Sequence, residues 1–193
     1  MTLSTRPYKG SFLGLYESVE AALANLGEIR KLDDLSMVGP VPVYVLDPHE
    51  VSQDVLKVNA ARPAYWRALM LNDQAPVACV DLPAGDSSRH SVVRGKDAAV
   101  ALNAALDIAR HAEHSSNRYD VRIVQLPRLF VTALWLESRE PAFIPTREGG
   151  TGRPAARALR RQEFVELVRG CLARSTHASP KKPGSQTDIN NSD

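Results

Sequence analysis

The chain is expected to fold as an α+β domain, a mostly antiparallel sheet built from two hairpins with helices packed on it. Three observations carry that expectation. An alanine-rich helical stretch occupies residues 97–113, and pairs of apolar, strand-like runs flank it: 65–71 with 76–82 before, 119–126 with 130–137 after. The segments show neither a regular strand–helix alternation nor an internal repeat, which argues against a parallel doubly wound sheet or a solenoid.

Taken in order, residues 13–26 form the first expected helix, with Leu15, Tyr16, Val19, Leu23 and Leu26 on one stripe and Gly27 at its end. Residues 41–46 read as a strand, and Pro40 and Pro42 confine it to an edge or a late start, because proline cannot donate to a ladder. Asp47-Pro48-His49-Glu50 is a helix start: Asp47 caps, Pro48 takes the first helical position, and Glu50 sits three residues past the cap. The short helix should reach about residue 58, with Val51, Val55 and Val58 inward.

Asn72-Asp73-Gln74-Ala75 separates the first strand pair. Tyr65, Arg67, Leu69 and Leu71 face one way and Trp66, Ala68 and Met70 the other, so both faces of that strand are covered. A polar loop, 83–90, leads through a short strand at 91–93 into the central helix. There Leu102, Leu106 and Ala109 make the buried stripe and Asn103, Asp107 and Arg110 the wet side. Residues 119–126 alternate with period two, 130–137 are apolar on both faces and belong centrally, and Pro127-Arg128 marks a tight reversal between them. Residues 142–144 add an edge strand limited by Pro141 and Pro145, and 147–154 are loop by composition. The last helix is expected over 155–173, with Phe164, Leu167, Val168, Cys171 and Leu172 on one stripe. The domain therefore spans 1–174. Residues 175–193, poor in apolar side chains, are expected to be a disordered tail.

Composition bounds the function classes. With 193 residues, 44% hydrophobic and 24% charged, the chain is long enough for one sizeable core, and no run is apolar enough for a membrane span. The first ten residues lack a secretory leader's apolar core, and the expected location is the cytoplasm. Cys79 and Cys171 are too few for a disulfide framework and lie on apolar faces, as small buried hydrophobes do. The formal net charge of +2 conceals an asymmetry: residues 1–146 carry 15 Lys/Arg against 17 Asp/Glu, residues 147–182 carry 9 against 3. The basic character belongs to the last helix and its flanks.

Each candidate for chemistry has a simpler structural explanation beside it. Asp86, Ser88 and His90 share one polar loop and could serve a hydrolase or transferase, with Arg147 or Arg153 receiving an anionic substrate. Neighbours in a loop rarely reach the nucleophile–base–orienter geometry, however, and no nucleophile elbow surrounds the serine. His49 is accounted for by the cap. His111 and His114 share a helix face without ligands from other elements, so no metal is expected, and no cofactor either. Gly95-Lys96 before a helix has the form of a phosphate-binding start, but Asp97 stands where the anion would sit. The glycine run at 149–152, between Arg147 and Arg153, is the better anion cradle.

Arg153, Arg157, Arg160, Arg161 and Arg169 make the last helix and its approach basic. Such a face is solvated, meets an acidic protein partner, or binds nucleic acid, in that order; aromatics are 6% of the chain and none lies on the polar side of that helix for base stacking. The leading expectation is a non-enzymatic accessory or adaptor module that binds an acidic protein surface or associates with itself. A hydrolase or transferase using the 86–90 loop is the alternative, nucleic-acid binding the weaker one, and no membrane contact is expected.

Overall fold

In a computed structural model of the chain, the described residues are 35–52, 62–84, 92–111, 119–147 and 157–177. The expected first helix, the 86–90 loop, the glycine run and the C-terminal tail beyond residue 177 lie outside them.

The described elements are β1 (Leu35–Val45), α1 (Pro48–Ser52), β2 (Tyr65–Asn72), β3 (Ala75–Pro83), β4 (Val92–Arg94), α2 (Lys96–His111), β5 (Asp120–Leu126), β6 (Val131–Glu137), β7 (Ala142–Arg147), β8 (Leu159–Arg160) and α3 (Arg161–His177). The strands form one eight-stranded sheet in the order β4-β3-β2-β1-β5-β6-β7-β8. Every neighbouring pair is antiparallel except β1 with β5, where Val43, Tyr44 and Val45 run parallel to Ile123, Val124 and Gln125. The molecule is thus α+β with a mostly antiparallel, mixed sheet. It is more than two hairpins, because β1 joins the halves and β7 and β8 extend one side.

β1 overturns an expectation. Its prolines suggested an edge or a late start, yet the strand begins at Leu35, ahead of both, and lies between β2 and β5. Both prolines are kept out of the ladders that would need their missing N–H. Pairing with β5 begins only at Val43, past Pro42, and the register against β2 shifts between Val38 and Val41, which bulges out the cis Gly39-Pro40 step. Gly39 has φ +106°, and a Cβ there would come within 3.1 Å of the Val41 nitrogen and 3.3 Å of the Arg67 carbonyl. Only glycine fits that kink.

The last helix also differs from expectation. Residues 159–160 pair with β7 at Phe143 and Ala142, and α3 begins at Arg161. Glu163 explains the later start, since its carboxylate accepts the Arg160 backbone N–H at 2.7 Å, the reach-back bond of a capped helix. α3 continues through His177, into the segment expected to be tail. The capping at α1 is as the sequence implies: the His49 N–H donates to Asp47 Oδ1 at 2.8 Å and the Asp47 N–H to Glu50 Oε2 at 3.2 Å.

Strand periodicity divides the apolar residues between two faces. On one, Val41, Val43, Leu69, Leu71, Cys79, Ile123, Leu134 and Ile144 pack under Leu102, Ala105, Leu106 and Ala109 of α2. On the other, Tyr44, Val124, Leu126, Trp135 and Phe143 pack under α3 and Val51 of α1. There Phe143 stacks on Phe164 with ring centroids 4.3 Å apart. A third cluster, Trp66, Met70, Val77, Ala78, Val80 and Leu82, occupies the β2–β3 part of the sheet.

Candidate functional site

Alternation along β2 should place an apolar residue beside Leu69 on the α2 face, and instead it places Arg67. The side chain is 6% exposed. A buried guanidinium is costly without an anion, and the register supplies one directly opposite: Arg67 lies across from Asp81 of β3. Arg67 Nε and Nη2 donate to the two Asp81 oxygens at 2.6 and 3.1 Å, a bidentate pair. Burial alone would lower the Arg67 pKa; the hydrogen bonds and charge of Asp81 outweigh it and raise it. Arg94, at the end of β4, donates from Nε to the same carboxylate at 2.5 Å and remains 45% exposed. One buried acid therefore holds two arginines.

The network continues towards the sheet centre. Arg67 Nη2 also donates to Tyr65 Oη at 3.2 Å, and the Tyr65 hydroxyl donates to Gln125 Oε1 on β5. Desolvation by burial raises the Tyr65 pKa, so the phenol stays a protonated donor. Cys79, beneath this network, is pushed up to about 12, chiefly by burial; it is a packed thiol, not a nucleophile.

Of these residues, Arg67, Arg94 and Gln125 border a cleft of about 630 Å³ between the start of α2 and the sheet. Arg67, Arg94, Gly95, Lys96, Asp97, Gln125, Thr132, Thr146 and Arg147 supply its polar lining, with Ala98 and Ala101 on the helix side. The space exists because the first turns of α2 present alanines while β5, β6 and β7 present Gln and Thr where large apolar residues would have closed it. Among the described residues, four cations line it against one lining carboxylate, Asp97. With Asp81 bonded behind them, two positive charges remain in excess. The Lys96 and Asp97 N–H groups, in the first helical turn, have no intrahelical acceptor, and the helix dipole adds positive potential there. Chemically, the cleft is suited to an oxyanion with hydroxyl and amide donors around it.

Phe130, in the turn between β5 and β6, is outside the lining of the cleft and neighbours it through Arg147. It has φ +53°, a left-handed conformation that bulky residues avoid, and is 59% exposed. The Arg147 guanidinium lies 5.6 Å from its ring centroid.

The residues singled out in the sequence fare unequally. Asp86, Ser88, His90 and Arg153 lie outside the described residues, as does the glycine run at 149–152. Arg157 is tied to Glu163 at 2.8 Å, and Arg157 and Arg160 border a shallow depression shared with Glu163 and Glu166. That surface is of mixed charge. Arg161 acts on Glu137 electrostatically, and Arg169 has interactions of its own. Among the described residues, Arg157, Arg160, Arg161 and Arg169 are interleaved with Glu163 and Glu166. The structure joins Arg147 to Gly95-Lys96, the anion-binding start that seemed less suitable on account of Asp97. Arg67, Asp81, Arg94, Gln125, Thr132 and Thr146 were missed. The signal for them was a polar side chain on an otherwise apolar, inward strand face.

Among the described residues, no group of three or more His, Cys, Asp and Glu is placed to hold a metal ion, and no helix is long and apolar enough to cross a membrane. No protein-family model, curated protein or solved structure matches the chain.

Proposed function

We propose that this chain is a binding module, not a catalyst, and that it receives the acidic group of its ligand in the cleft between α2 and the sheet. The observation that carries the reading is the convergence of Arg67, Arg94, Lys96 and Arg147, from four different elements, on one concave space. Cations scattered on a surface are ordinary, whereas cations gathered from β2, β4, α2 and β7 around hydroxyl and amide donors favour a bound anion. Rigidity supports the same reading. Asp81 orients two of the arginines before any ligand arrives, so little side-chain freedom is lost on binding.

The acidic protein surface expected at the α3 arginines is a separate reading, and Glu163 and Glu166 offset part of the charge it would meet on the helix. A thermal melt of the full chain at low ionic strength tests the proposal. Inorganic phosphate at about a hundred times its Kd should stabilise by about 2.7 kcal/mol, raising the Tm by roughly 5–10 °C. The stabilisation should vanish in Arg94→Ala/Lys96→Ala and persist in Arg157→Ala/Arg160→Ala. The opposite pattern would place the anion on the helix and overturn the proposal.

A further inference from the structure

The geometry points to a specific ligand class for this cleft: a small phosphate monoester carrying a flat aromatic ring, its phosphate among Arg94, Lys96 and Arg147 and its ring against Phe130. The inference rests on the reading of the cleft as an anion site and adds the rest of the ligand.

Charge sets the head group. Among the described residues, four lining cations, offset by Asp97 and by Asp81 behind them, leave two positive charges, which a phosphate monoester dianion matches and a single carboxylate does not. Thr132 and Gln125 provide further polar partners on the sheet side, while the Thr146 hydroxyl donates to the Thr132 carbonyl at 3.2 Å. Volume limits the size: about 630 Å³ is typical of sites for small ligands, with the ring reaching past the lining to Phe130.

Phe130 sets the remainder. Its backbone has φ +53°, and its ring is 59% exposed rather than turned into the core. Both features are unfavourable for phenylalanine in a turn, where glycine or asparagine would fit the backbone and a polar side chain the solvent. Strain of this kind is retained where the side chain has a use. Arg147 connects the ring to the anion, since it lines the cleft and also lies over Phe130. A ligand ring stacked at Phe130 would bring its ester phosphate within the compass of the same arginine. Ring stacking and charge pairing would then reinforce each other through one guanidinium.

Calorimetric titration of the full chain with phenyl phosphate and methyl phosphate, which have the same charge, tests the inference. Phenyl phosphate should bind about tenfold more tightly. Phe130→Gly suits the left-handed backbone and should fold at least as well as the parent; it should abolish the difference between phenyl phosphate and methyl phosphate. Phe130→Trp should retain the preference. Equal binding of the two esters by the parent, or a preference surviving Phe130→Gly, would overturn the aromatic assignment while leaving the anion site in place. Binding of neither ester would overturn both. Tighter binding of a phosphotyrosine peptide than of phenyl phosphate would overturn the assignment to a small molecule.

Discussion

Asp81 neutralises two arginines at once, and its removal should be felt in both stability and binding. Asp81→Asn leaves Arg67 buried with its charge unpaired, and the expected loss is about 3–5 kcal/mol by chemical denaturation, the usual consequence of breaking a buried ion pair from one side. Asp97 has the opposite role in the cleft: it is the lining acid that repels an anion, so Asp97→Asn should tighten phosphate binding several-fold in the same calorimetric titration. Cys79 gives a further check at this scale. With its thiol raised to about 12 by burial, it should not react with an aromatic disulfide reagent at pH 8 until the chain is denatured. Of these residues, Arg67 and Asp81 could have been noticed in the sequence. Each is a lone charge inside an apolar strand run, Tyr-Trp-Arg-Ala-Leu-Met and Ala-Cys-Val-Asp-Leu, and a lone inward charge requires a partner. The sequence does not say that the partner of one is the other, because that depends on hairpin register. Phe130 was less visible still, since nothing in Leu-Phe-Val announces a left-handed backbone.

Local chemistry made some elements legible and long-range pairing obscured others. The cap at α1 is written within four residues, Asp47 to Glu50, and was readable for that reason. The stripe of α2 was readable because its Leu102, Leu106 and Ala109 repeat with the helix period. β1 was misread because the rule that excludes proline from central strands assumes an unbroken ladder, and this strand has a bulge at Gly39-Pro40. Gly39→Ala should therefore destabilise by more than about 1 kcal/mol, from a φ that alanine avoids and from contact with the Val41 and Arg67 backbones. The turn joining β2 and β3 offers the reverse case. Asp73 and Gln74 have φ +48° and +65°, the two positive values of a type I′ turn, whose second position prefers glycine. Gln74→Gly should raise stability by about 0.5 kcal/mol, measurable as a higher denaturation midpoint. At the start of α3, the Arg157 hydrogen bond, and after it the Arg160 backbone N–H, hold the Glu163 pKa below the usual glutamate range. A depressed folded-state pKa means that its stabilisation is complete above the ordinary glutamate pKa and is lost as pH falls through the lowered value. Glu163→Gln should flatten that acid-side dependence in denaturation curves recorded from pH 7 down to pH 3.

Across the whole molecule, the cleft is a product of strand order. Arg67, Arg94, Gln125, Thr132 and Arg147 are spread over eighty residues of sequence, and they meet because β1 and β5 run side by side, joining the β2–β3–β4 half of the sheet to the β5–β6–β7 half. No local pattern specifies that parallel pairing, whose partners lie about as far apart in the chain as the site residues themselves. This is why the α+β class could be read from the residues and the site could not. The same topology lays α2 across the join, so that its N-terminal turn opens over the seam between the halves. The central claim is that this opening binds a phosphate monoester, and amide chemical shifts recorded during a titration of the full chain with phenyl phosphate test it most directly. Saturable shifts confined to Arg94, Gly95, Lys96, Asp97, Phe130, Thr132, Thr146 and Arg147 are the predicted result. Shifts confined to α3, or none at concentrations that saturate simple arginine–phosphate contacts, would contradict it.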